Sequence, residues 1–417
     1  MGREGGVHGA STAERPLRNP FLARGYPRWW IASLVAGTGL GIQSVTVPIF
    51  IRDRVDLDER GLAIASALVA QTLPAAFLAL LGGTIADRVP RHRILLRTYG
   101  VATLVSSVYV FLCGWDVRVI WPVYGLAALV GSAGAFTNPA RQSMLPQLLQ
   151  PAQIQNGVIF GTMGFMASLQ FLGPSVGGLV TDASGLAAAF SLEVVLLALA
   201  ALLFFGVRTP LPEPTGGNIR ADLLAGLRYV AGEPALRGLL GMGPVIGVLF
   251  IGPFAVTVPI MVPDVFDASD RWVGLLWGCF GLGGLAGSIA LTLLPATHRG
   301  LAACLSILSG GLVLLLYGLS ELLWVSSALL VVWGLGASVF MNYVVVLLQE
   351  NTDPRMMGRV MSMYSLVFFA SMPVGYAQAG FVTDAFGPQA TLVSSGLLSA
   401  CIGLGCVLLL RPVRALR

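Results

Sequence analysis

The sequence predicts an all-α polytopic membrane protein, with twelve transmembrane helices in two pseudo-symmetric six-helix halves. Three observations lead there. Of 417 residues, 56% are apolar and only 11% are Asp, Glu, Lys or Arg, against roughly a quarter charged in a soluble domain; mean hydropathy is +0.81. Eleven uncharged runs of at least 18 residues lie between ionised residues, and a twelfth, from Asp182 to Arg208, is interrupted only by Glu193. Short segments of the first half also recur in the second. About 20 apolar residues carry a helix across a bilayer, where nothing else satisfies an open backbone.

The elements follow in order. Residues 1–28 form a polar arm with five Arg and no apolar core, so this is no cleaved signal peptide and the first helix acts as its own insertion signal. Trp29 and Trp30 follow Arg28, a position suited to the inner interface belt. Residues 29–207 hold the first six spans. The interval 208–237 opens with Thr209-Pro-Leu-Pro-Glu-Pro-Thr-Gly-Gly217, then places Ile219, Leu223, Leu224, Leu227 and Val230 at helical spacing among charges, which predicts an amphipathic surface helix. Residues 238–410 hold six further spans, and 411–417 form a short tail.

Loop charge gives the orientation. All 25 basic residues are Arg. With the N-terminus in the cytoplasm, 20 of them fall on the inner side and five (Arg52, Arg54, Arg60, Arg118 and Arg271) outside, whereas 11 of the 20 acids fall outside. This predicts cytoplasmic termini in a bacterial inner membrane.

The composition also removes functions. Without Lys there is no P-loop lysine and no Schiff-base lysine. Disorder, a secreted disulfide scaffold and nucleic-acid binding do not fit so apolar a chain. Cys113, Cys279, Cys304, Cys401 and Cys406 are scattered through apolar spans without metal spacing, and read as small core residues. His8, His92 and His298 lie outside the spans, so no intramembrane enzyme is expected, and neither a metal nor a cofactor. Gly281-Leu-Gly-Gly-Leu-Ala286 matches a loose dinucleotide pattern but follows no strand; close helix packing through Gly283 and Gly287 is the reading.

The repeats are specific. Val45-Thr-Val-Pro-Ile49 recurs 211 residues later as Val256-Thr-Val-Pro-Ile260. Gly173, Gly178, Val180-Thr-Asp-Ala183 and Gly185 recur 202 residues later as Gly375, Gly380, Val382-Thr-Asp-Ala385 and Gly387. Paired halves around a midplane site are the usual transporter plan.

Between the second and third spans the chain reads Gly83-Thr-Ile-Ala-Asp87-Arg88-Val-Pro90-Arg91-His92-Arg93. This resembles the loop signature of the major facilitator superfamily, with Pro90 where the family usually has Gly. Asn138-Pro-Ala-Arg-Gln-Ser-Met-Leu-Pro146, Ala221-Asp-Leu-Leu-Ala-Gly-Leu-Arg-Tyr229 and Leu347-Leu-Gln-Glu-Asn-Thr-Asp-Pro-Arg-Met-Met-Gly-Arg359 resemble the bacterial branch of siderophore (enterobactin), drug and macrolide exporters, over roughly residues 24–411. The resemblance implies the major facilitator fold and proton-driven export of a small amphipathic molecule by a monomer, with protons and membrane lipid as its other partners. Gly173-Pro-Ser-Val-Gly-Gly178 resembles the superfamily's antiporter motif, with Leu169 in place of its leading Gly, and favours efflux over uptake. A proton-linked importer is the alternative within transport; a membrane sensor or assembly protein is the alternative outside it.

Candidate residues fall into two sets. Gly83 admits close helix approach, and Asp87 can accept from the free N–H groups of a neighbouring helix start, where the helix dipole favours an anion. In the family that neighbour is span eleven, here beginning near Gly358 and Arg359, so Gly83, Asp87 and Arg88 form an expected inner latch. Arg91 and Arg93 either join it or anchor the loop to anionic lipid. Arg141, Glu350, Asp353 and Arg359 are candidate inner-gate ion pairs or solvated loop charges. The pathway set is Gln43, Gln71, Ser168, Gln170, Glu193, Asn342, Tyr364 and Gln378, amides, hydroxyls and one carboxylate suited to a large, weakly polar ligand. Glu193 either faces the pathway, stays protonated, or snorkels to the outer interface, since an ionised side chain at mid-helix costs about 2.5–3.5 kcal/mol on insertion scales.

Overall fold

The computed structural model describes residues 19–86, 89–115, 120–207, 219–293 and 297–416, and their regular structure is helical throughout. Six long helices form the first half: α1 (Tyr26–Arg52), α2 (Arg60–Ala86), α3 (Arg91–Cys113), α4 (Trp121–Ser143), α5 (Pro151–Ser184) and α6 (Leu186–Phe205). Six more form the second: α7 (Pro234–Asp264), α8 (Arg271–Leu293), α9 (Arg299–Leu319), α10 (Leu323–Glu350), α11 (Met357–Phe386) and α12 (Pro388–Leu409). Eleven of them are long and apolar enough to cross a bilayer. The remaining one, α4, is equally long, but its last turns carry Asn138, Arg141 and Gln142, which dilute its apolarity. An even number of crossings puts both ends of the chain on one face, here called the terminal face; the opposite face is the distal one.

Hydrocarbon gives apolar side chains no reason to leave lipid, so helices in a membrane associate through close packing, and small residues set where backbones meet. The repeats mark those places. Gly41 of α1 lies against Gly173 of α5: a Cβ added to Gly173 would stand 2.5 Å from Thr38 O and 2.6 Å from Gly41 Cα. In the second half Gly252 of α7 lies against Gly375 of α11, the positions 211 and 202 residues further on. Gly131 packs on the Gln71 backbone to join α4 to α2, and Gly334 packs on Phe280 to join α10 to α8. Gly283 and Gly287 also sit against the backbone of α10, at Val331 and Leu335, which is the packing expected of that glycine run. Repeated sequence has become repeated helix crossings.

Two sequence expectations need correction. Trp29 is fully buried, not in an interface belt; its indole N–H donates to Arg141 O at 3.2 Å, while only Trp30 is part-exposed. Among the cysteines, which are all free, Cys401 faces outward; it is Cys304 and Cys406 that are buried.

The helix Ile219–Gly232 runs where the amphipathic pattern placed it. Val230 is buried and Gly226 meets Arg359 and Met363 of α11, while Leu224 and Leu227 are exposed. The halves meet along α2–α11, α5–α8 and α1–α7. One apolar cluster at the distal end draws on both, with Phe50, Ile64 and Tyr109 packed with Val256, Tyr376 and Ala379. The distal face is closed.

Candidate functional site

Of the pathway residues, the structure brings Gln43 and Glu193 together, in the seam between α1, α3 and α6. Glu193 is fully buried. Its Oε1 accepts from Gln43 Nε2 at 2.9 Å and lies 2.5 Å from Ser106 Oγ, which is also 2.9 Å from Ala102 O. Ser106 has one proton for two acceptors. Given to Ala102 O, it leaves the contact with Glu193 to be made by a proton on the carboxyl. Given to Glu193, it joins Gln43 in holding a carboxylate whose Oε2 has no partner among the described residues. The pocket can therefore hold the acid in either state, at a price in desolvation for the charged one. Snorkelling is ruled out by the burial: the side chain turns into the N-terminal half and not toward an interface. Ser106 was missed by sequence reasoning because a lone hydroxyl in a helix carries no signal of its own.

The other pathway candidates are dispersed. Ser168 is fully buried, bonds Phe165 O at 2.9 Å and packs on Gly37, so it belongs to the α1–α5 seam. Gln170 lies at the α5–α8 contact, where its carbonyl meets Gly281, and its amide reaches Met166 Sδ at 3.8 Å. Gln71 is half-buried on α2 at the Gly131 crossing. Asn342 is exposed and bonds Ser338 O of its own helix at 2.8 Å. Tyr364 is buried on α11, with its hydroxyl 3.8 Å from Met341 Sδ of α10, and Gln378 carries a buried Oε1 with no partner among the described residues.

The inner latch is only partly visible. Asp87 and Arg88 lie outside the described residues, and of Gly83 only its place in α2 is described. Arg91 donates to Ser143 O at 2.5 Å and so ties α3 to α4, within one half, while Arg93 is exposed. Gly358 is exposed in the first turn of α11, and Arg359 beside it lies under Gly226 of the helix Ile219–Gly232.

Three gate candidates are corrected. Arg141 lies within α4 rather than in the loop after it, and is 2% exposed. Its guanidinium stacks 3.7 Å from the Phe165 ring centre and donates to Asn138 Oδ1 at 3.3 Å, without a carboxylate partner among the described residues. The reason is packing: the last turn of α4 faces the aromatic interior of its own half. Glu350 pairs with Arg299 at 2.6 Å, which links α9 to α10 rather than the two halves. Asp353 accepts from Arg355 N at 2.8 Å in a local turn, and its own N–H donates to the Tyr229 hydroxyl at 3.1 Å.

At the distal face, where the sequence reading set no gate, polar contacts cross between the halves. Arg52 donates to Pro259 O at 3.0 Å and pairs with Asp270 at 2.8 Å and with Asp53 at 2.6 Å. Arg60 pairs with Asp264 at 3.3 Å. Asp384 of α11 accepts from Gly61 N at 2.7 Å and Leu62 N at 2.8 Å, the opening N–H groups of α2.

A family model described as a transmembrane secretion effector matches residues 15–416. The chain belongs to this family. It is a major facilitator transporter. The chain is similar to the multidrug efflux pump Tap of Mycobacterium tuberculosis, 28% identical over 393 residues that cover 89% of this chain and 90% of Tap. It is similar also to the enterobactin exporter EntS of Shigella flexneri, 25% identical over 422 residues and 96% of each chain. Among solved structures it shares the fold of the nucleoside transporter NupG (TM-score 0.71, 14% identity, 91% of this chain and 99% of NupG). The human organic anion transporter MFSD10 (TETRAN) has it too (TM-score 0.64, 16% identity, 91% and 98%).

Proposed function

We propose that this transporter exports a small amphipathic molecule, siderophore-like or drug-like, across a bacterial inner membrane in exchange for protons, with both termini cytoplasmic. The twenty-to-five bias of Arg toward the terminal face supports that orientation, and similarity to Tap and EntS supports outward movement of such a molecule. The observation that carries proton coupling is the Gln43–Glu193–Ser106 site. It holds an ionisable group in mid-helix, buried, with Oε1 between Gln43 and Ser106 and Oε2 without a partner among the described residues. Intramembrane carboxyls of this kind mark proton relays. In that orientation the distal face, where one apolar cluster draws on both halves, is the outer one.

Two experiments test this. A deletion strain should accumulate candidate siderophores and drugs, and re-expression should lower accumulation only while the proton gradient stands; re-expression that raises accumulation would make the protein an importer. A Glu193→Gln variant should lose the dependence of transport on the pH gradient. Full dependence in that variant would remove Glu193 from coupling.

A further inference from the structure

The duplicated halves share their glycine crossings but have diverged at the distal rim, and the divergence has a direction. Counting 211 residues onward, Arg52 falls on Pro263, Asp53 on Asp264, Arg60 on Arg271 and Gly61 on Trp272; counting 202 onward, Asp182 falls on Asp384. Pro263 has no N–H, so the carbonyl four residues back, Pro259 O, is left without its helical partner. Arg52 of the other half donates to that oxygen at 3.0 Å, and its side chain is only 7% exposed. The Pro that stands in place of the arginine thus creates the acceptor that the arginine fills.

Gly61 and Asp384 show the same logic. A Cβ on Gly61 would stand 2.6 Å from Asp384 Oδ1 and 2.8 Å from Gly380 O. Only glycine admits the carboxylate to the N–H groups of the second and third residues of α2, where a helix start favours an anion. At the repeat position Trp272 stands in place of the glycine, and Asp182 is exposed with no such bond among the described residues. In each of the three contacts the donor or cation lies on the N-terminal half and the acceptor on the C-terminal half.

We propose that Arg52 on Pro259 O and Asp270, Arg60 on Asp264, and Asp384 on the start of α2 form a clasp that locks the distal face, and that the transport cycle turns by breaking it. The proposal rests on alternating access but on no particular substrate or coupling ion. Its test therefore uses neither, and its failure would leave the export reading to its own experiments.

Spin labels at Trp121→Cys and Trp324→Cys, exposed residues in the first turns of α4 and α10 on the distal face, would report the separation of the halves in lipid nanodiscs, after replacement of the five native cysteines. In Asp384→Ala and Arg52→Ala the ratio of closed to open distances should fall about tenfold or more, the weight of a hydrogen bond to a charged group. Asp182→Ala should leave it unchanged. Arg60→Asp should open the face, and adding Asp264→Arg should restore it. Unchanged ratios in both alanine variants would overturn the clasp, as would equal opening in Asp182→Ala or failure of the charge exchange to restore closure. Where Asp384→Ala does not yield folded protein, judged by helical circular dichroism, the Arg60 and Asp264 exchange decides alone.

Discussion

Replacing Gly173 by Ala tests whether the repeated glycines fix how each half is built. In open space the change favours a helix by about 0.5–1 kcal/mol, because Gly gives up more backbone freedom on folding. At Gly173 the space is taken. The new Cβ would stand 2.5 Å from Thr38 O and 2.6 Å from Gly41 Cα, both backbone, where ordinary contact begins near 3.4 Å. No rotamer relieves this, so α1 and α5 must part by roughly 0.8 Å; overpacking of this kind costs about 1–3 kcal/mol. The net expectation is a loss of up to about 2.5 kcal/mol. Gly375→Ala should behave alike, since its Cβ would lie 2.8 Å from Val248 Cα. Gly100 and Gly405, with nothing within 4 Å, provide the internal control, and Ala there should be neutral or stabilising. The assay is thermal unfolding in detergent followed through the eight tryptophans. If Gly173→Ala and Gly375→Ala unfold no earlier than Gly405→Ala, the glycine crossings are not what sets the helix spacing.

Further outcomes follow from the same geometry. Gly185 (φ +82°) and Gly387 (φ +89°) immediately precede α6 and α12 in a backbone region almost closed to other residues, and neither has an atom in the way of a Cβ; Ala at either should cost about 1–3 kcal/mol through the backbone alone, read as an earlier unfolding midpoint. Arg299→Ala should change stability by less than about 1 kcal/mol, because its partner Glu350 is 48% exposed and such pairs are weak; a larger loss in the same unfolding assay would show that the pair does more than decorate the surface. Asp87→Asn should abolish export with normal protein level in a transport assay, and near-normal transport would take the latch out of the mechanism.

The spans, the amphipathic connecting helix and the repeats were legible because each rests on a periodic or compositional signal that tertiary context does not alter. The glycine crossings were half legible. A repeat of Gly173 as Gly375 marks a constraint, but the partner helix is named only by the structure. Glu193 stood out as a lone carboxylate, yet its site depends on Ser106, one hydroxyl among many, 87 residues away. Arg141 and Trp29 were misplaced for a shared reason. Each reads as a boundary residue beside a predicted helix end, and each is in the core because the other, 112 residues distant, covers it. The distal contacts were invisible for a different reason: Arg52, Arg60, Asp264 and Asp270 occur at helix ends and in the short charged connections between them, where solvation is the default, and only the approach of the two halves turns them into partners.

The four crossing glycines also explain where the long helices depart from α geometry. Gly173 and Gly252 are each followed by Pro, whereas Gly41 and Gly375 are followed by Ile42 and Tyr376. Turns of π-helix occur at Ser168–Leu172 and Gly247–Ile251, just before the two Gly-Pro steps, while α1 and α11 run through their crossings as α-helix. Proline removes a donor and crowds the preceding turn, and widening to a π turn relieves it. Gly173 N then bonds Ser168 O, and the next carbonyl, Leu169 O, is aligned with Pro174 and has no N–H to receive; in α7 Gly252 N bonds Gly247 O and Val248 O is aligned with Pro253. Both bare carbonyls point at a crossing glycine of the neighbouring helix: a Cβ on Gly41 would be 2.7 Å from Leu169 O, and one on Gly375 would be 3.0 Å from Val248 O. An open carbonyl in a bilayer needs a polar or near-polar neighbour, and a glycine Cα–H at close range is one. Proline on one helix and glycine on the other are therefore a matched pair. The mismatch between the repeats places one such pair in each half, at α5 in the first and at α7 in the second, so each half carries one widened turn at its central crossing.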